Sequence, residues 1–338
     1  MYNKLIVNIK PLGFTWETRD PFLFCVHHLD HYPAGNEQLG PAASLAGRNL
    51  GQDFNTDQSW RMYHGETIPG FPAHPHRGFE TVTVVLNGFV DHSDSHGAAG
   101  RYGNGDVQWM TAGAGLQHAE MFPLLNPHAP NPLELFQIWL NLPHARKFAH
   151  PHYKMLWAEE IPVYVEKDVR GKLIEATIIA GQIGEVAAPA PAPDSWAGDA
   201  ENEVGIWLLR LEAGARWTIP AASLEVNRAL YVYRGSHIDV GGIRIPHYHS
   251  VELLADQPVI LENADQDAFL LLLQGRPINE PVVQHGPFVM NTMAEIQQAF
   301  ADYRSTRFGG WPWPRPDNVH PRELKRFARY ADGSEQTP

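Results

Sequence analysis

The sequence predicts an all-β chain: two antiparallel β domains in tandem, followed by a C-terminal helix and an extended tail. Three observations carry that expectation. Short runs rich in β-branched and aromatic residues recur along the 338 residues, punctuated by Gly, Pro, Asn and Asp. A stretch dense in Ala and Pro, "EVAAPAPAPDSWAGDA" (185–200), separates two groups of such runs. Convincing helical periodicity is confined to one late segment, "NTMAEIQQAFADYR".

The β-type runs are "TVTVVLNGFV" (81–90), "DVQWMTAG" (106–113) and "ELFQIWLNL" (134–142) in the first group. The second group holds "EVGIWLLRLEAG" (203–214), "ALYVYRGSHIDVGG" (229–242), "VELLA" (251–255) and "AFLLLLQG" (268–275). Such spacing fits a sandwich or a barrel. The expected division is a first β domain over 1–184, a semi-stiff linker over 185–200, a second β domain over 201–290, and a helix with tail over 291–338. In the helix, Thr292 as N-cap and Glu295 three residues on form a capping box. Ile296, Ala299, Phe300 and Tyr303 then recur at helical spacing as a docking face. Gly309-Gly310 lies beyond the expected helix end, and the following "WPWPRP" should run extended over the surface.

Hydrophobic content of 43% and charged content of 19% describe a soluble globular chain. The formal charge of −12, with no local Lys/Arg cluster, argues against direct nucleic-acid binding. The lone Cys25 excludes an internal disulfide framework, and its place in "FLFCV" marks it as a small buried hydrophobe. "MYNKLIVNIKPLG" has no sustained apolar run, and no stretch of about twenty apolar residues occurs. Neither a signal peptide nor a membrane span is expected, and the expected location is cytoplasmic.

Three H-x-H pairs stand out: His74/His76, His150/His152 and His247/His249. Side chains i and i+2 of a strand share a face, so each pair could aim two imidazoles inward. Only the first has a second same-face pair nearby, His118 and Glu120 in "GNGDVQWMTAGAGLQHAEM". Two such pairs on adjacent strands would give three imidazoles and one carboxylate, leaving two octahedral positions open. That donor set suits Fe(II), Mn(II), Ni(II) or Cu(II). Pro75 within the pair fits a strand start or an edge. His150/His152 reads as a solvated or backbone-bonded connection, and His247/His249 as a surface or turn feature. His27, His28, His31 and His64 read as structural, and Arg77 as a salt-bridge or backbone-capping residue. Trp109 and Met110 are candidates for a substrate wall or for plain core.

"HPHRGFETVTVVLNG" resembles the first cupin motif, with Gly70 closer to the histidines and Gly88 one residue late. "GDVQWMTAGAGLQHAEM" resembles the pirin form of the second motif, and "FQIWLNLPHARK" and "EPVVQHGPFVMNTMAEIQQAF" are similar to further pirin segments. Over residues 20–305 the chain resembles the pirin family. That resemblance implies two tandem cupin-type antiparallel β-barrels, a bicupin, with one divalent metal in the first and normally none in the second. It implies His74, His76, His118 and Glu120 as ligands, and Glu80 as a residue behind them orienting a ligand ring or a water. Fe(II) is the ion expected first, with Mn, Ni, Cu or Zn as alternatives.

Three neutral imidazoles and one carboxylate leave a divalent ion at a net charge of about +1, which favours an enolate, phenolate or carboxylate. The resemblance implies a quercetinase-type dioxygenase, cleaving a flavonol-like aromatic or enolic substrate with O2, with Glu120 accepting the hydroxyl proton. The other reading it implies is a non-enzymatic iron-binding regulator that acts by contacting a protein partner.

Overall fold

Alternating burial along β-branched runs builds both halves of the chain. In the strand Leu173–Ala180, Ile174, Ala176 and Ile178 are fully buried while Leu173, Glu175 and Thr177 between them are half-buried. A computed structural model describes residues 5–338 and divides them into two units. One comprises the chain up to Cys25 with Glu159–Asn279, the other Val26–Ala158 with Glu280–Pro338. Every β-type run named above contains a strand, and the all-β expectation with a single late α-helix holds among the described residues.

The unit containing Glu159–Asn279 has a seven-stranded antiparallel sheet. Its order is Ile6–Pro11, His249–Leu254, Asn227–Arg234, Ala268–Gly275, Gly205–Leu211, Leu173–Ala180, Val163–Lys167. A four-stranded sheet, Arg216–Ile219, Val259–Asn263, His237–Val240 and Ile243–Pro246, faces the same apolar core. Leu209, Leu230, Leu272, Val240 and Leu261 are at most 1% exposed there, and each contributes about 1.5–3 kcal/mol by leaving water.

In the unit containing Val26–Ala158, one sheet runs His152–Leu156, Val107–Thr111, Phe79–Asn87, Asn131–Asn141 and then Phe22–Tyr32. The other runs Glu335–Gln336, Phe327–Arg329, Ala99–Gly103, Phe89–Asp94, Leu116–Met121 and Gly70–His76. The helix Met293–Thr306 begins with the expected capping box between Thr292 and Glu295. Its Ile296 and Ala299 pack with Phe288, Met290 and Phe308, and Phe300 and Tyr303 flank them.

The structure draws the domain boundaries differently from chain order. Ile6–Pro11 completes the edge of the sheet at His249–Leu254, so the N-terminal strand belongs with the later β domain. The helix and tail belong with the earlier one. The Ala/Pro-rich stretch 185–200 lies wholly inside one unit, so it does not join the two units, and it is anchored there at a few points. Val186–Ala187 pairs with Gln182–Ile183, buried Ser195 caps a short 3-10 turn, and Trp196 Nε1 donates to Arg276 O at 2.9 Å. Ala and Pro fill such a stretch with no side-chain entropy to lose.

The tail does more than run over the surface. Phe327–Arg329 pairs with Ala99–Gly103, and Trp313 Nε1 donates to Asp94 O at 2.7 Å. Fully buried Arg101 holds Asp91 through Nε and Nη2 at 2.7 and 2.8 Å, and donates to the carbonyls of His320, Pro321 and Leu324. No helix among the described residues is long and apolar enough to cross a membrane.

Arg101→Met strands a buried Asp91 carboxylate and frees those three carbonyls at once. It should cost about 3–5 kcal/mol. Calorimetric melting should show the loss, and limited proteolysis should cut first after residue 310.

Candidate metal centre

Gly70–His76 is the outermost strand of its sheet and pairs antiparallel with Leu116–Met121. Pro75 is tolerated because an edge strand can spare a ladder donor. The register places His74 directly opposite His118. With His76 two residues on, the three ring centroids lie 4.5 to 5.0 Å apart. One nitrogen from each lies within 4.8 Å of the others, the geometry of a metal cluster. Gly78 sharpens the turn into Phe79–Asn87: its φ is +87°, and a Cβ there would stand 2.0 Å from Val289 O.

Hydrogen bonding leaves the right atoms available. His74 Nδ1 donates to Pro72 O at 2.9 Å and His76 Nδ1 to Pro287 O at 3.3 Å, so each ring keeps its Nε2 lone pair. His118 is fully buried and neither ring nitrogen has a hydrogen-bonding partner. An orphaned imidazole beside two lone pairs fits a divalent cation. Burial holds all three rings neutral: it lowers His74 to about 4 and pushes His76 and His118 well below the usual histidine range. Neutral imidazole is the form that ligates.

Glu120 stands beside this set, its Oε2 3.9 Å from His118 Nε2. Burial raises its pKa, and donation from Thr83 opposes that rise. Thr83 Oγ1 donates to Glu120 Oε1 at 2.8 Å, Gln137 Nε2 to Oε2 at 2.6 Å, and Tyr102 OH to Oε1 at 3.4 Å. Thr83, Gln137 and Tyr102 were not singled out in the sequence. Their signal was strand parity, since Thr83 and Gln137 are cross-strand partners in the register of Phe79–Asn87 with Asn131–Asn141. Glu80 is fully buried and accepts from Thr111 Oγ1 at 2.7 Å.

The other nominated residues fall as follows. Arg77 is the expected salt-bridge residue, with Nη1 on Asp302 at 2.7 Å and Nε on Ala114 O. Trp109 is fully buried and Met110 packs with Ala112 and Leu116, so both are core. The aromatic beside the histidines is half-buried Trp139, 5.3 Å from the His76 ring. His150 Nδ1 donates locally, to Pro151 O. His247 Nε2 meets Tyr233 O, and Tyr248 at φ +57° breaks the strand alternation that His247/His249 would need.

The family model for Pirin matches residues 15–140, and that for the Pirin C-terminal cupin domain matches residues 206–309. Human Pirin is 36% identical over 254 residues, covering 73% of this chain and 80% of its own. The chain belongs to the pirin family. Its two β units are therefore cupin domains, as the motif resemblance implied. A Pseudomonas aeruginosa pirin relative with the provisional name quercetin 2,3-dioxygenase is 37% identical over 239 residues, 71% of this chain and 79% of its own. The crystal structure of a quercetin 2,3-dioxygenase from Acinetobacter baumannii superposes with a TM-score of 0.71 at 26% identity, over 90% of this chain and 98% of that one.

A divalent ion on the three histidines would stabilise the folded form by mass action. Chelation should lower the melting temperature and Mn(II) should restore it. His76→Ala should abolish that restoration and the bound metal found by elemental analysis; full metal content in this variant would exclude His76 as a ligand.

Proposed function

We propose that this pirin is a metal-dependent dioxygenase of the quercetinase type, in which His74, His76, His118 and Glu120 hold one divalent ion. Fe(II) is the ion expected, and the same donors accept Mn, Ni, Cu or Zn. When bound, the ion supplies Lewis acidity towards an acidic hydroxyl and a redox partner for dioxygen. The observation that carries the proposal is the Glu120–Thr83–Gln137 triangle beside the three histidines. Relatives named quercetin 2,3-dioxygenase support it.

The triangle can take up a proton without orphaning a buried group. Thr83 has one hydroxyl proton and two acceptors within reach, Glu120 Oε1 at 2.8 Å and Gln137 Oε1 at 2.6 Å. With Glu120 ionised, the proton points to Glu120. When Glu120 receives the substrate's hydroxyl proton on Oε1, the Thr83 hydroxyl turns to Gln137 and accepts from the carboxyl instead. Gln137 Nε2 stays on Oε2 and keeps the carboxyl plane fixed. Burial, which already favours the protonated carboxyl, lowers the cost of that state. Trp139 and Phe71, both half-buried and beside His76 and His74, offer flat faces to an aromatic body. The net charge of about +1 left by this donor set favours a monoanionic substrate such as an ionised flavonol.

Glu120→Gln should keep its metal and lose turnover of quercetin by about 10²–10⁴-fold. The measurement is loss of flavonol absorbance with release of carbon monoxide in air; undiminished turnover would place the base elsewhere. Wild-type turnover no faster than free metal salts would favour the regulatory reading, in which the ion biases a protein contact.

Thr83→Val removes the rotating hydroxyl and leaves the histidines untouched. It should lower kcat about 10–100-fold at unchanged metal content, and Thr83→Ser should restore it. An unchanged kcat in Thr83→Val would show that the triangle is only structural.

A further inference from the structure

The unit containing Glu159–Asn279 has an open cavity of about 580 Å³. Its wall includes the Ala/Pro-rich stretch, through Ala188, Pro191 and Ala197, together with Trp207 and Ala222. Arg228 lines it too, although it is only 2% exposed. Two bonds hold the guanidinium: Nε donates to Gln274 Oε1 at 2.9 Å and Nη1 to Pro220 O at 3.0 Å. Both acceptors are neutral. Among the described residues, the rest of its five N–H donors have no acceptor, and no carboxylate lies within ion-pair distance.

A buried cation with neutral partners is costly unless an anion completes it. Burial lowers Arg228 to about 10, and Glu203 is the one charge acting against that. The Glu203 carboxylate is held instead by Ser223 N. Asp199 also lines the cavity, its side chain occupied by Glu201 N. The Glu203 carboxylate already offsets part of the guanidinium charge, so a second negative charge on the ligand would be repelled and a monoanion is favoured over a dianion. Ala188, Pro191, Ala197 and Ala222 give one side of the cavity an apolar surface against which the body of a ligand can lie, while Gln182 and Gln274 keep the rest polar.

We propose that this cavity binds a small monocarboxylate with an apolar or aromatic body, its carboxylate on the free edge of the Arg228 guanidinium. A planar fork matches a carboxylate bidentately, which a lysine cannot do. The site is separate from the histidine cluster and does not depend on the dioxygenase reading.

Isothermal titration of the full-length, metal-loaded protein with sodium benzoate, and with neutral benzamide, tests it. Benzoate should bind with benzamide at least tenfold weaker, and inorganic phosphate weaker than benzoate. Arg228→Gln should weaken benzoate at least tenfold. Ala197→Phe, which fills the cavity and keeps Arg228, should do the same, so the test survives if the arginine variant does not fold. His76→Ala should keep this binding. No binding to folded wild type, equal affinity in Ala197→Phe, loss confined to His76→Ala, or phosphate binding the tighter of the two would each overturn the proposal.

Discussion

The antiparallel pairing of His74 with His118 is the constraint on which the histidine cluster rests. A one-residue slip in that register would turn His118 and Glu120 to the opposite face together. Register alone would leave the rings free to turn, and carbonyls fix two of them. Pro72 O and Pro287 O each hold an Nδ1, and one of these carbonyls comes from the C-terminal segment. His118 is the exception, with two unsatisfied ring nitrogens that cost about 1–3 kcal/mol each when buried. Ligation of a metal ion through one of them would offset part of that cost.

The opposite face of the same strands explains why the C-terminal segment belongs to this unit. Gln117, between Leu116 and His118, turns away from the cluster and donates to Arg307 O and Gly310 O, while Tyr303 OH donates to its Oε1. Ala73, beside His74, donates its backbone N–H to Pro316 O. Asn318 reaches Ser93, and Asp91 is shared between Arg101 and the His320 N–H. Along Leu116–Met121, Gln117, which clasps the tail, alternates with His118, which faces the cluster. The helix and tail thus stiffen an edge strand that would otherwise be open on one side, and the precision of the histidine cluster depends on residues some two hundred positions later in the chain.

What was legible in the sequence is what depends on spacing along one strand. The clustering of His74, His76 and His118, the capping box at Thr292 and Glu295, and the burial of Cys25 follow from local pattern. What was not legible depends on which strand lies next to which. Gln137 and Thr83 meet because two strands pair in one register, and Trp139 reaches His76 because it shares a face with Gln137. Trp109 looked as good a candidate as Trp139 by type, yet its strand is covered on both faces by its unit's core. The Ala/Pro-rich stretch misled for a different reason. It is dominated by Ala and Pro, and its one large anchor, Trp196, leaves no periodic signature.

The same scaffold is used with opposite electrical sense in the two cupin domains. Around His118, burial removes protons from histidines and leaves lone pairs, the form that could hold a cation. Around Arg228, burial cannot discharge the group because a guanidinium remains protonated even at a pKa near 10. Its remaining N–H donors are those the proposed carboxylate would meet. His247 and His249 occupy, in that domain, a turn with positive φ at Tyr248, where the i and i+2 side chains no longer share a face. A β strand offers two side chains to its interior for every four residues. Whether they are neutral bases or a fixed cation would decide the sign of the ligand that each domain could take.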